Sequence, residues 1–148
     1  MSSLESVLDH SLKEASAHTR KVYSQNPLTA EEVIELANSR VLTIAATVKP
    51  NHHPHVSPSD LVVVDGVIYL GVDRATARYQ NLKQNSAVTV MLADGWKRQA
   101  ILEGDANFID MTTETARKVS EAQKKKYGWN TDQIAEFKPV KAFTWKAK

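Results

Sequence analysis

Residues 60–70 of the chain read DLVVVDGVIYL, which is two runs of mainly β-branched and other apolar residues around a short polar turn. Valine and isoleucine fit the pleated surface of a sheet, and Asp65-Gly66 can supply the positive φ angles that a tight hairpin requires. The stretch therefore predicts two antiparallel strands, over 60–64 and 67–70.

Strand patterns continue on both sides of this hairpin. Residues 41–48 precede it, and residues 87–92, 98–104 and 140–145 follow it, with Asp94-Gly95 indicating a second hairpin. Successive antiparallel pairs favour closure into a barrel, because closure removes exposed sheet edges. The predicted fold class is mainly β: a six-stranded antiparallel barrel with flanking helices.

Three helical patterns flank these strands. Apolar residues at spacings of three and four predict an amphipathic helix over 4–23. Thr29 and Glu32 have the spacing of a capping box at the start of a second helix. Residues 111–127 predict a third helix, which Gly128 would end because glycine accepts the left-handed C-cap conformation.

Length and composition limit the function classes. The chain has 148 residues, a formal net charge of +2, 42% hydrophobic residues and no cysteine. This fits one domain overall, with an N-terminal amphipathic helix in 1–28 and a barrel domain in 29–148. No apolar run approaches the roughly 20 residues that span a membrane, and the lack of a signal pattern and of cysteine favours the cytoplasm. The small charge predicts no binding to nucleic acid.

Motifs for phosphate-loop and covalent chemistry are missing from the sequence. Its five glycines do not cluster into G-x-G-x-x-G or a P-loop, and no serine lies in a G-x-S-x-G elbow. His52, His53 and His55 suggest a metal, but adjacent histidines in a turn rarely point at one ion. The sequence therefore predicts no metal site, and it identifies no catalytic acid or base.

The segment 69–85, YLGVDRATARYQNLKQN, carries the clearest binding signal. A strand that ends in a polar turn and opens a short helix brings backbone amides, the Thr76 hydroxyl and the Arg78 guanidinium to where a phosphate can bind. Two interpretations stay open from these residues alone. One is an anion site, and the other is a helix cap at Thr76 beside a surface charge at Arg78.

Three short motifs, in this order, resemble the pyridoxamine 5'-phosphate oxidase-like flavoproteins. They are His53-Pro54-His55-Val56-Ser57-Pro58, Thr76-Ala77-Arg78 followed by Asn81-Leu82, and Arg98-Gln99 leading to Glu103-Gly104. Their order and spacing, over about residues 29–145, carry the resemblance. It implies a split β-barrel that binds FMN at the interface of a homodimer, with flavin-dependent oxidoreduction as its activity.

The resemblance also implies roles for particular residues. Thr76 and Arg78 would bind the flavin phosphate. The strand His55-Val56-Ser57-Pro58 and Val72 would run beside the isoalloxazine ring, and Gln99 would reach the ring or the ribityl chain. From the residues themselves, Gln99 also fits a side chain paired within the sheet, and Pro58 fits a residue that stiffens a loop.

Three departures from the family pattern argue against oxidation of pyridoxamine phosphate itself. His52 stands where the family's first turn opens with glycine, and Ser57 stands where many relatives carry arginine. The sequence also ends at Lys148 without the Arg- and His-containing segment that grips the vitamin phosphate in the true oxidase. We therefore expect a flavoprotein that acts on another small-molecule substrate or electron donor.

Two alternatives to FMN stay open. A reductase that uses the deazaflavin coenzyme would share the same phosphate-binding positions. A non-catalytic protein that stores flavin or binds haem is the other, because His52, His53 or His55 could ligate iron. The expected macromolecular partner is a second copy of the chain, with Trp96 or Trp145 near the interface.

Overall fold

The structure is a computed structural model, and it describes residues 3–148. The helices are α1 (Ser3–Glu14), α2 (Ala17–Tyr23), α3 (Ala30–Asn38), α4 (Ala77–Gln84) and α5 (Glu114–Tyr127). The strands are β1 (Leu42–Val48), β2 (Pro54–Pro58), β3 (Asp60–Val64), β4 (Val67–Val72), β5 (Ala87–Asp94), β6 (Arg98–Phe108) and β7 (Gln133–Lys146). They form one antiparallel sheet in the order β2-β1-β5-β6-β7-β4-β3.

A single residue, Ser59, joins the two strands at opposite ends of this sheet. Because β2 pairs with β1 and β3 pairs with β4, the chain passes from one sheet edge to the other within that residue. The sheet must therefore curl until its two edges lie next to each other at this residue, without pairing. The Ser59 N–H donates to the Thr43 carbonyl oxygen at 3.0 Å and fixes the corner. The predicted fold class, a mainly antiparallel β-barrel with flanking helices, is confirmed as a curled half-barrel.

Local signals in the sequence account for several of these elements. Asp65 and Gly66 have φ angles of 51° and 78°, as the β3–β4 hairpin requires. The capping box of α3 is present, because Thr29 accepts from the Glu32 N–H and Glu32 accepts from the Thr29 N–H. Gly128 ends α5 in the left-handed conformation, with φ 87°. These predictions are confirmed.

The strand count is the first correction, since the sheet has seven strands and not six. The added strand is β2 (Pro54–Pro58). Its residues 55–58 were expected to form a strand only because the family resemblance implies a strand beside the ring. Proline cannot donate to a ladder, so this segment lacks the usual strand pattern, but an edge position tolerates prolines. The sheet also stays open between β2 and β3, so closure does not remove its edges.

The N-terminal helix predicted over 4–23 is two helices. Ser16 interrupts it and caps α2, because its side chain accepts a hydrogen bond from the Thr19 N–H at 3.2 Å. A capping serine competes with the helix backbone for hydrogen bonds and so favours a new start. Residues 1 and 2 of the predicted segment 1–28 lie outside the described residues.

The last strand starts seven residues earlier than the predicted segment 140–145, at Gln133. It passes Pro139 where the β6–β7 register shifts between Glu103 and Gly104. The missing N–H of a proline is tolerated at such an irregularity, so the strand does not stop there.

The core lies inside the curl of the sheet. Its fully buried side chains include Leu36, Leu70, Leu92, Leu102 and Phe137. Helix α1 packs on the same core and contacts β7, and its buried Ser11 accepts a hydrogen bond from the Ala142 N–H at 2.9 Å.

A glycine at the β6–β7 irregularity gives a test of this packing. A Cβ at Gly104 would overlap the Lys138 carbonyl oxygen and lie 2.9 Å from Pro139 Cα. Since both neighbours are backbone, Gly104→Ala should lower the free energy of unfolding by about 3 kcal/mol, measured by urea denaturation. Glu103→Ala, at the exposed adjacent position, should change it by less than about 0.5 kcal/mol. Equal stability of the two variants would contradict the tight β6–β7 contact.

Candidate functional site

The first turn of α4 meets the edge strand β2 through Arg78. Its Nη2 atom donates to the Pro58 carbonyl oxygen at 2.6 Å and to Ser57 Oγ at 3.1 Å. The helix begins here because Thr76 Oγ1 accepts from the Tyr79 N–H at 3.2 Å. Three of the residues singled out in the sequence, Ser57, Pro58 and Arg78, are thus in direct contact.

The charge of Arg78 lacks a hydrogen-bonded carboxylate. Burial lowers the pKa of its guanidinium, and the negative charges of Asp60 and Asp73 act in the opposite direction from farther away. Both acceptors at Nη2 are neutral, and the buried Nε has no hydrogen-bond partner within residues 3–148. A buried donor without an acceptor is costly, so this guanidinium suits an anionic ligand.

The start of α4 adds backbone donors beside this guanidinium. The N–H groups of Ala77 and Arg78 have no acceptor in the described part of the chain, as expected for a first helical turn. The Thr76 hydroxyl is already used, because it also donates to the Asp73 carbonyl oxygen at 2.7 Å. Of the two interpretations of Thr76, the helix cap is therefore present, and binding of an anion would fall mainly to Arg78 and the amides.

Helix α4 is held in place by a buried contact that the sequence motif did not reveal. Asn81 and Thr47 are both buried, and Asn81 Nδ2 donates to Thr47 Oγ1 of β1 at 3.0 Å. This bond fixes the helix against the sheet next to β2. The motif named Asn81, but nothing local in the sequence could identify Thr47, because the two lie 34 residues apart.

The remaining predicted residues divide between the two sides of β2. His55 and Ser57 pair directly with Thr47 and Ala45, which are buried, so these two side chains face inward with Arg78. The His55 Nδ1 atom is buried and has no hydrogen-bond partner in the described range. Val56, which is 63% exposed, points to the other side together with Pro58.

Gln99 and Val72 lie apart from the Arg78 contact. Gln99 pairs with Ala93 and Trp145 on the outward side of the sheet, the side of Val56 and Pro58, and its Nε2 donates to the Gly95 carbonyl oxygen at 3.2 Å. The Val72 side chain is only 2% exposed and belongs to the core. The structure therefore brings Gln99 to the same face as part of β2 and leaves the Val72 side chain inside the barrel.

The outward side of the sheet carries an apolar surface, which we call the outer face. Strand pairing places on it Leu42, Ile44, Ala46, Val56, Pro58, Met91, Ala93, Ile101 and Trp145. Leu42 and Val56 are 57% and 63% exposed. An apolar surface with exposed residues of this kind is typical of an interaction site.

Two negative findings concern metals and membranes. No group of three or more His, Cys, Asp or Glu side chains among residues 3–148 is arranged to hold a metal ion. In the same range, no helix has the length and apolar character needed to cross a bilayer.

Residues 29–148 match the family model described as pyridoxamine 5'-phosphate oxidase. The chain belongs to this family. Within the pyridoxamine 5'-phosphate oxidase family pattern, His52 replaces a turn glycine, and here it adopts φ 67°, in the left-handed region that glycine occupies readily. The replacement thus keeps a glycine-like backbone at the turn.

Solved structures share the fold at low sequence identity. The conserved hypothetical protein Rv2991 from Mycobacterium tuberculosis is 22% identical, with 80% of this chain and 85% of that chain covered at a TM-score of 0.70. HutZ, the haem storage protein from Vibrio cholerae, is 18% identical, with 77% and 92% covered at 0.65. The FAD-binding protein from Mycobacterium smegmatis is 17% identical, with 82% and 99% covered at 0.60. A search of curated proteins found no match.

Removing the Thr76 hydroxyl tests the cap at the start of α4. Thr76→Ala removes both the acceptor for the Tyr79 N–H and the donor to Asp73, so the free energy of unfolding should fall by about 1 kcal/mol. Thr76→Ser keeps the hydroxyl and should behave like the wild type. Urea denaturation without added cofactor measures both. An unchanged stability of Thr76→Ala would show that the hydroxyl does not support the helix.

Proposed function

We propose that this protein binds FMN and is a flavin-dependent oxidoreductase, with the flavin phosphate at the start of α4. The observation that carries the proposal is Arg78, whose buried Nε lacks a partner and whose Nη2 meets only neutral acceptors. A phosphate there would accept from the guanidinium and from the N–H groups of Ala77 and Arg78. Family membership over residues 29–148 supports a flavin as the source of that phosphate.

The edge position of β2 lets one ligand reach both sides of the strand. Arg78 contacts β2 through Ser57 and Pro58, while Val56 and Pro58 lie on the outer face. A flavin with its phosphate at Arg78 would extend around this edge, so that its ring system covers the outer face toward Gln99. On that route Val56, Pro58 and Gln99 would contact the ring. The Val72 side chain is buried in the core, so it would help to position the backbone and would not contact the ring.

The cofactor, when bound, supplies hydride or electron transfer. The residues of the chain would bind the phosphate, orient the ring by apolar contact on the outer face and limit the access of water. No side-chain acid or base is assigned. A small-molecule substrate or electron donor is part of this proposal. FMN as the cofactor is also part of it, since the deazaflavin coenzyme carries a phosphate that Arg78 would suit equally.

Haem binding is the second candidate, and a specific observation favours it. The buried Nδ1 of His55 has no hydrogen-bond partner within residues 3–148, and a haem storage protein shares the fold. An imidazole nitrogen is a common axial ligand of haem iron. We rank this function below flavin binding, because Arg78 and the amides of α4 would not be needed to hold iron.

We also propose that the protein is a homodimer that buries the outer face. Leu42 and Val56 are apolar and more than half exposed, which is unfavourable in water, and a twofold axis would cover the same surface on both copies. The second copy would also shield the exposed side of a ring bound there. Trp145 lies on this face, whereas Trp96, which is 82% exposed, lies on the β5–β6 turn at its border.

Removing Arg78 tests the flavin site. Hydrogen bonds to charged groups contribute roughly 1.5–3 kcal/mol, so Arg78→Ala should weaken FMN binding about 10- to 150-fold. Riboflavin lacks the phosphate, and its affinity should be nearly equal in the variant and the wild type. Lys83→Ala, which removes an exposed charge from the same helix, is the matched control and should bind FMN normally. Equal FMN affinity for wild type and Arg78→Ala in a fluorescence titration would contradict the proposed site.

A charge placed on the outer face tests the dimer. Val56→Lys would bury an ammonium group in each half of the interface, so it should weaken dimerisation by roughly tenfold or more. Light scattering over a dilution series measures this effect. Val140→Lys is the control, because Val140 is 59% exposed and lies at the β6–β7 irregularity, outside the outer face as defined above. A wild-type monomer that binds FMN with full affinity would contradict the shared site.

A further inference from the structure

A pocket, which we call the corner pocket, lies where the two sheet edges come together. Its volume is about 320 Å³, and its wall includes Pro58, Asp60, Tyr127 and Trp129, with Arg40 at the junction between α3 and β1. This volume falls within the range of sites for small organic ligands. No role in the proposed flavin site accounts for Arg40, Tyr127 or Trp129.

Two aromatic rings form one wall of this corner pocket. The rings of Tyr127 and Trp129 are stacked, with centroids 5.4 Å apart and planes 29° apart. Trp129 is nevertheless 49% exposed, so part of its ring remains open to a ligand. A flat, partly exposed aromatic surface next to a cavity favours a planar aromatic compound, which gains by stacking.

The aromatic wall is fixed in place before any ligand binds. The Trp129 Nε1–H donates to Asp60 Oδ2 at 2.7 Å, and Gln123 donates to the same oxygen at 3.0 Å. The Tyr127 hydroxyl accepts from the Leu61 N–H and donates to the Leu61 carbonyl oxygen. Side chains held in this way lose little conformational freedom when a ligand stacks on them.

The pocket wall carries one cation and one carboxylate, Arg40 and Asp60. The Arg40 guanidinium lies 5.9 Å from the Tyr127 ring centroid and forms no ion pair within the described residues. The carboxylate of Asp60 is already engaged by two N–H donors. Lys126, the other nearby cation, directs its Nζ to the carbonyl oxygens of Ala37 and Leu61, both at 2.6 Å. Arg40 is therefore the cation of this pocket that a ligand can pair with.

We infer that the corner pocket binds a planar aromatic carboxylate, with its ring on Trp129 and its carboxylate at Arg40. As a substrate site, this inference rests on the proposed function, because Pro58 lines the pocket and its carbonyl oxygen accepts from Arg78. The binding itself depends only on the corner pocket. A ligand there would lie next to the strand that is proposed to run beside the flavin.

Calorimetry with two matched probes tests the inference on the full chain. Indoleacetate carries the ring and the carboxylate, and indoleacetamide carries the same ring without the charge. Wild-type protein should bind indoleacetate about tenfold more tightly than indoleacetamide. This is near the lower end of the affinity gain from a hydrogen bond to a charged group, because Arg40 is exposed. Arg40→Gln should abolish that preference, and Lys125→Gln, which removes another exposed charge, should keep it. Equal affinity of the wild type for the two probes would overturn the inference.

Substitution of Trp129 provides the second part of the test. Trp129→Ala should weaken binding of both probes by about tenfold, because it removes the stacking surface. Trp96→Ala, at the exposed β5–β6 turn, should leave both affinities unchanged. Weaker binding in Trp96→Ala, or unchanged binding in Trp129→Ala, would overturn the inference, because the probes would then bind at another surface. Because the probe comparison on wild-type protein needs no variant, the test does not depend on the folding of Trp129→Ala.

Flavin titrations separate this inference from the proposed function. Arg40→Gln should bind FMN normally. Binding of indoleacetate without any uptake of FMN would support the pocket and contradict the flavin site. Competition between indoleacetate and FMN would overturn the inference, since the corner would then be part of the flavin site.

Discussion

The one-residue connection at Ser59 is the constraint on which the rest of the structure depends. It joins strands that lie at opposite ends of the sheet, so the sheet has to curl and its two edges have to meet. Edges that meet without pairing leave backbone groups unsatisfied, and side chains from α4 and α5 supply the missing partners. Arg78 donates to the Pro58 carbonyl oxygen of β2, while Lys126 and Tyr127 bond the backbone of Leu61 in β3. Both helices thereby hold the corner in place, and both contribute side chains to the proposed binding sites.

This arrangement explains why candidate binding residues gather at the split and not inside the barrel. The interior is filled by aliphatic and aromatic side chains, and Val72 belongs to that filling. At the split, by contrast, a cation is partly buried beside β2 with neutral partners only. Burial makes the charged form of Arg78 less favourable and so lowers the pKa of its guanidinium. A bound phosphate would offset this cost. The same residue thus stabilises the sheet edge and favours an anionic ligand.

Local chemistry explains which parts could be predicted from the sequence. The Asp65-Gly66 hairpin, the α3 capping box and the Gly128 cap depend on neighbouring residues, and all three are confirmed. Strand β2 was not predicted from the strand pattern, because a proline lies at each end of it and the local sequence does not show that it pairs at a sheet edge. For the site, the motif located Thr76 and Arg78 together. The Asn81 contact with Thr47 and the Trp129 contact with Asp60 join residues distant in sequence, so no local signal indicated them.

The absorbance spectrum of the freshly purified protein tests the central claim most directly, namely that the β2 edge and the start of α4 hold a flavin. Flavin, deazaflavin and haem have different spectra, so one measurement separates the candidate cofactors. We predict a flavin spectrum that stays with the protein through gel filtration, or appears there after FMN is added. A haem spectrum, or protein that emerges from the column without flavin after incubation with excess FMN, would contradict this account.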